Sequence, residues 1–110
     1  MSPHFTHKFC YRPNNIHRPA KGATLKQLLG ASISGPAKYL PGIDIQRLEM
    51  EVWEKGAPVC TGRPWKVAEF TKDIGVSKGK PSRWVRVEET AGAIHGHPIT
   101  EQEYRELVGR

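Results

Sequence analysis

The chain lacks long hydrophobic runs. No apolar stretch of its 110 residues approaches the roughly 20 needed to span a bilayer, which excludes a transmembrane helix. The opening segment MSPHFTHKFCYRPNN holds no apolar core of signal-peptide length, so export would depend on something other than this start. Cysteine is scarce. Cys10 and Cys60 allow at most one disulfide, which excludes a disulfide-stapled scaffold and leaves the redox compartment open. Internal repeats are missing too, so no solenoid is expected.

What is abundant is positive charge and chain-breaking residues. There are 17 Lys+Arg against 11 Asp+Glu, a formal charge of +6. That balance points to a polyanionic partner, usually nucleic acid and less often a membrane surface. The 9 Pro and 11 Gly call for short elements joined by ordered loops.

Residues 1–21 are polar, basic and interrupted by Pro3, Pro13 and Pro19, and read as an extended N-terminal arm. The arm carries His4, His7, Cys10 and His17. Zinc accepts such ligands, but finger spacings group them in two pairs, so a flexible His-rich arm is the plainer reading. Residues 22–110 read as one α+β domain. Thr24 caps a short helix to about Leu29, with Leu25, Leu28 and Leu29 inward and Gly30 ending it. Residues 31–42 form a loop ordered by Tyr39 and Leu40. Asp44 caps a second helix, Ile45–Lys55, whose apolar stripe is Ile45, Leu48 and Val52, with Trp53 at its margin and Gly56 as the stop.

Ala57–Cys60 reads as a short strand. In the strand Trp65–Phe70, Trp65, Val67 and Glu69 share one face. Thr71–Ser82 is expected to be a basic loop in which Lys78 and Lys80 reach phosphates. A β-hairpin follows: Arg83–Glu89 runs out, Ala91-Gly92 turns, and Ala93–His97 runs back. A two-residue turn sets Glu88 opposite His95 and Arg86 opposite His97. Trp84, Arg86, Glu88, His95 and His97 then share one face, and Val85, Val87 and Ile94 the other. Thr100 and Glu103 form a capping box for a last short helix through Val108, with Tyr104, Leu107 and Val108 apolar. The fold class expected is therefore α+β. One or two N-terminal helices pack on a small antiparallel sheet of three to four strands, and a short C-terminal helix closes the chain. One sheet face lies on Ile45–Lys55 and the other is open.

The polar constellation suits phosphoryl transfer without a metal or other cofactor. A base takes the 2′-hydroxyl proton of RNA, an acid protonates the leaving 5′-oxygen, and a cation steadies the transition state. His95 and His97 are the candidate acid/base pair, with Glu88 orienting or replacing one of them and Arg86 holding the phosphate. Lys66, Arg83, Trp84, Lys78, Lys80 and Thr100 are candidate substrate-binding residues. The helix start at Thr100 would add free N–H groups beside the histidines. A strand His-x-His is also a common metal pair, for which Glu88 or an arm histidine would be the third ligand. Non-catalytic nucleic-acid binding is a further alternative, with Trp65, Trp84, Lys66 and Arg86 as a stacking platform, and a protein-interaction module is another.

The runs RPWKVAEF, GKPSRWVRVEETAGAIHGHPIT and EYREL resemble the small C-terminal toxin domains of bacterial polymorphic and contact-dependent toxins. The order of elements is similar to that of the barnase/EndoU/colicin E5/RelE-like ribonucleases. The resemblance covers about Gly22–Leu107, and His95, His97, Arg86, Glu88 and Thr100 have a comparable placement. It implies a ribonuclease acting on RNA, tRNA among the candidates. It also implies an acidic cognate immunity protein and delivery from a bacterial cell into the cytoplasm of a target cell; no membrane partner is expected. Such modules normally end a long delivery protein, so the Met1 start would fit an excised or orphan copy acting in the cytoplasm.

Overall fold

A computed structural model describes residues 10–12 and 14–109. Its architecture is α+β, with three α-helices and two sheets among those residues. The helix α2 (Ile45–Lys55) begins where Asp44 accepts the Arg47 N–H at 3.2 Å. Ile45 and Val52 are buried along its inner stripe, with Leu48 packed beside them. The helix stops at Gly56, where the backbone turns extended, and the site requires glycine: a Cβ there would lie 2.5 Å from the Val52 carbonyl oxygen and 2.8 Å from that of Val67.

α2 packs on the larger sheet. Its strands are β1 (Cys10–Tyr11), β3 (Ala57–Pro58), β4 (Trp65–Glu69), β7 (Trp84–Thr90) and β8 (Ala93–Ile99), in the order β1-β8-β7-β4-β3. All neighbours are antiparallel except β1 and β8, which are parallel. The expected sheet of three to four strands is thus exceeded by two-residue edge strands, and part of the stretch read as an arm lies in the sheet. The β7–β8 turn is the two-residue Ala91-Gly92, both at positive φ (54° and 83°). Thr90 pairs with Ala93, Glu88 with His95 and Arg86 with His97. Val85 and Val87 are fully buried against α2, and Ile94 nearly so. The first strand is shifted by one residue from the expected Arg83–Glu89, to Trp84–Thr90, and the second runs two residues longer than expected, to Ile99.

The remaining strands form a second sheet, β2 (Lys38–Tyr39), β5 (Gly75–Ser77) and β6 (Lys80–Ser82), in the order β2-β5-β6. The expected basic loop 71–82 is therefore a hairpin, tipped by Lys78-Gly79 at positive φ. Its apolar residues Ile74 and Val76 drive it inward, where they are 5% and 0% exposed. The two sheets meet closely at Gly75, where a Cβ would lie 2.6 Å from the Lys38 carbonyl oxygen and from Pro98 Cγ.

Helix α1 (Leu25–Ala31) starts at the Thr24 capping box with Gln27 and runs past Gly30. Leu28 points inward, but Leu25 is 52% exposed, contrary to the expected inward triad. Leu28 is the one buried residue of this seven-residue helix. Helix α3 (Glu101–Val108) begins at the Thr100–Glu103 capping box and ends at Gly109 in the left-handed region. Its Tyr104, Leu107 and Val108 pack with Val59, Val67, Ile99, Trp65 and Trp84 on the sheet face away from α2. That face is consequently covered at one end and not open throughout.

Candidate functional site

At the end not covered by α3, β7 and β8 present Arg86, Glu88, His95 and His97 side by side. Alternation along each strand and the register of the turn place them there. Glu88 is the hub. Its Oε1 accepts from Arg86 Nη2 at 2.7 Å, its Oε2 accepts from the Thr90 hydroxyl at 3.3 Å, and His95 Nε2 lies 3.7 Å from Oε2. The side chains of Arg86, Glu88 and His95 keep between a fifth and just over a quarter of their surface (21%, 23% and 27%). That is open enough for a ligand and dry enough to strengthen its electrostatics.

Arg86 is braced from below. Its guanidinium carbon sits 3.9 Å from the Trp65 ring centroid, and Arg63 approaches the same ring at 5.3 Å. Arg86 Nε is buried without a hydrogen-bond partner. His97 Nδ1 is 2.8 Å from the Pro98 carbonyl oxygen. A carbonyl only accepts, so Nδ1 carries the hydrogen and the neutral ring leaves Nε2 as a lone pair. Burial holds the His97 pKa below its ordinary value, reinforced by Arg86 and His17; the Pro98 bond and the Glu103 carboxylate act in the other direction.

A third imidazole joins the site. His17, in the 3-10 turn Asn15–His17, stacks on His97 with ring centroids 5.0 Å apart and an interplanar angle of 26°. Its Nδ1 donates to the Ala37 carbonyl at 2.7 Å. Its pKa is also lowered, chiefly by burial and secondarily by Lys38, His95 and Arg86, against the Ala37 bond. Sequence reasoning saw His17 only as part of an arm pattern, because nothing local ties it to a strand some eighty positions away.

The candidate substrate-binding residues scatter. Lys66 lies on the opposite sheet face, where Nζ donates to the Trp53 carbonyl at 3.1 Å and covers the Trp53 ring. Trp84 shares the site's face but sits under α3 with Tyr104, and Arg83 covers its ring while pairing with Glu69 at 2.8 Å. Lys78 is 3.8 Å from Glu103, and Lys80 is exposed at the hairpin strand β6. The Thr100 hydroxyl is committed to Glu103, accepting its N–H at 3.1 Å and donating to Oε1 at 3.0 Å. Burial opposes ionisation of Glu103, yet the Thr100 bonds, aided by Lys78 and His97, take its pKa below the ordinary value. The start of α3 is therefore served by its own carboxylate and offers little to a foreign anion.

Two grooves run along α3, one lined by Glu69, Arg83, Trp84 and Tyr104 and the other by Lys78, Lys80, Trp84 and Glu106; neither includes Arg86, Glu88, His95 or His97. Among the described residues no cluster of three His, Cys, Asp or Glu side chains could hold a metal ion. Of the arm pattern, His4 and His7 lie outside the described residues. Cys10 and Cys60 are both exposed free thiols. No helix among the described residues is long and apolar enough to cross a membrane.

Beneath the site, on the α2 face, lies a carboxylate the sequence reading passed over. Glu49 is 2% exposed and accepts from the Tyr39 hydroxyl at 2.6 Å and the Tyr11 hydroxyl at 2.8 Å. Burial raises its pKa, while those two bonds, the Gly96 N–H and His95 restrain the rise. Its position between Ile45 and Val52 on the apolar stripe was the available signal. Comparison of the chain with family models, with curated proteins and with solved structures finds no match in any of the three.

Proposed function

We propose that this protein is a metal-independent ribonuclease of the toxin-module kind, cleaving RNA by transphosphorylation across the β7–β8 ribbon. The observation that carries the reading is the gathering of two imidazoles, a carboxylate and a guanidinium on one partly exposed patch. His95 and His97 are i,i+2 neighbours, roughly 7 Å apart along the strand, a spacing that suits groups on either side of one phosphodiester. His97, neutral and with Nε2 free, is the base that takes the 2′-hydroxyl proton. The 2′-oxygen attacks phosphorus, the P–O5′ bond breaks, and His95 gives its proton to the departing 5′-oxygen. Glu88 steadies the His95 imidazolium and aligns Arg86. The guanidinium spends one nitrogen on Glu88 and has donors left for the non-bridging phosphate oxygens. The products are a 2′,3′-cyclic phosphate and a free 5′-hydroxyl.

Formal charge +6 supports RNA as the polyanion, with tRNA among the candidate substrates. The same charge suits an acidic immunity protein, and action in a target-cell cytoplasm belongs to the same proposal. A purely stacking, non-catalytic platform has less support. Trp65 already carries Arg63 and Arg86, Trp84 carries Arg83, and Lys66 is on the far face.

The test is product chemistry. Purified protein in excess chelator is given an RNA oligonucleotide and the same oligonucleotide with 2′-deoxy substitution throughout. Cyclic-phosphate ends from the first and none from the second are expected. Cleavage of the deoxy strand, or loss of all cleavage on chelation, would overturn the mechanism. Growth arrest on cytoplasmic expression in bacteria, relieved by His97→Ala, is the corresponding cellular outcome.

A further inference from the structure

We propose that His17 is a positioning residue of this site: the N-terminal segment is folded back so that its imidazole roofs His97, and Tyr11–Glu49 on the far side of the sheet fastens it there. The inference deepens the ribonuclease reading and rests on it for its kinetic consequence, though not for its structural one.

Four contacts bring His17 to its place, each tying the segment to a residue distant in the chain. Cys10 N–H donates to the Gly92 carbonyl at 2.9 Å and Arg12 N–H to the Ile94 carbonyl at 3.1 Å, laying β1 along the outer edge of β8. Lys38 Nζ donates to the Ile16 carbonyl at 2.6 Å, and His17 Nδ1 to the Ala37 carbonyl at 2.7 Å. Parallel pairing turns Tyr11 to the same face as Ile94, through the sheet from the site, and there its hydroxyl meets the buried Glu49. A buried carboxylate is costly to leave unpaired, so the Tyr11 bond is a strong anchor for a short strand. One segment thus grips both faces of β8.

The roof has a chemical effect. Ring on ring, His17 removes water from His97 and, when protonated, repels its proton. The groups facing His97 are Arg86 from β7, His17 from the segment and Glu103 from α3; those facing His17 are His97 and His95 from β8, Arg86 from β7 and Lys38 from β2. Only Glu103 favours protonation of His97 among them. Without His17 the ring would be wetter and more basic.

The test follows the His97 ring by NMR across pH in the full chain, comparing wild type with His17→Ala and His17→Phe. The midpoint is expected to rise in His17→Ala and to stay near wild type in His17→Phe, whose ring still covers His97. Should His17→Ala fail to fold, His17→Gln, which keeps a donor for the Ala37 carbonyl, takes its place. In cleavage assays His17→Ala should lower kcat about tenfold with KM little changed, and move the acid limb of the pH–rate profile to higher pH. An identical His97 midpoint with and without the His17 ring overturns the proposal. Absence of ribonuclease activity in wild type would sink the functional reading alone, because the midpoint comparison needs no substrate.

Discussion

The two ends of one sheet face make an instructive pair. Both are built from the same three strands, β4, β7 and β8, with the same alternation. At one end Val67, Trp84 and Ile99 lie under Tyr104, Leu107 and Val108 of α3. At the other, Arg86, Glu88, His95 and His97 lie beside Trp65, and the cover is one imidazole, His17, stacked on His97. The difference is what covers the strands. Apolar residues attract a helix; ionisable ones hold only a thin cover, because full burial of four charged or chargeable groups would be prohibitive. A stable floor and a reactive patch can therefore share one sheet.

The sharpest way to break the comparison is to truncate one residue at each end. His97→Ala is expected to lower kcat/KM on RNA by about 10²- to 10⁴-fold while urea unfolding changes little. Ile99→Ala should do the reverse, costing about 2–5 kcal/mol of stability, read from the urea midpoint, with kcat retained in the folded fraction. A catalytic loss from Ile99→Ala as large as that from His97→Ala would erase the distinction.

Gly96→Ala probes the boundary between floor and site. A Cβ there would collide with the Arg86 carbonyl and lie 2.8 Å from Val87 Cγ2. About 1–3 kcal/mol of destabilisation is expected in thermal or urea unfolding, together with lower activity from the displaced Arg86. Thr100→Ala should cost about 1 kcal/mol through loss of the α3 cap and leave cleavage within a few-fold. A large kinetic defect would return Thr100 to the site.

The smallest effect concerns pH. His17 and His97 have pKa values lowered below 6.5 in the fold, chiefly by burial. The unfolded chain binds protons that the folded chain resists, so their stabilisation is full above about pH 6.5 and fades as pH falls through the lowered values. Glu49, raised by burial, acts with opposite sign: its contribution is present at low pH and fades as pH rises through its raised value. Because Glu49 is common to both proteins, the urea midpoint of wild type should fall more, or rise less, than that of His17→Ala on acidification below about pH 6.5.

Legibility followed sequence distance. The hairpin register, α2 and the α3 capping box were readable because alternation, caps and a two-residue turn act over a few residues. So the shared face of Trp84, Arg86, Glu88, His95 and His97 followed from parity alone. The placement of Lys66 was foreseeable by the same rule, since Trp65 and Val67 face the other way, but its charge invited a functional role. Pairing of Cys10–Tyr11 with β8, the sheet made by Lys38–Tyr39 with β5, and the His17 stack all join distant segments through strands of two or three residues. Such strands carry no periodic signal. Glu49 was hidden by its type: a carboxylate on an apolar stripe is read as a flaw until the two tyrosine hydroxyls that satisfy it are seen.

The most direct measurement sets turnover against binding for one substrate: wild type and His97→Ala, each assayed for cleavage of a labelled RNA and for its affinity to a non-cleavable 2′-deoxy analogue at the same low salt. Turnover abolished by His97→Ala with affinity kept within a few-fold is the result expected of a catalytic patch. Equal turnover in the two proteins, or tight binding by both with no cleavage by either, would contradict it.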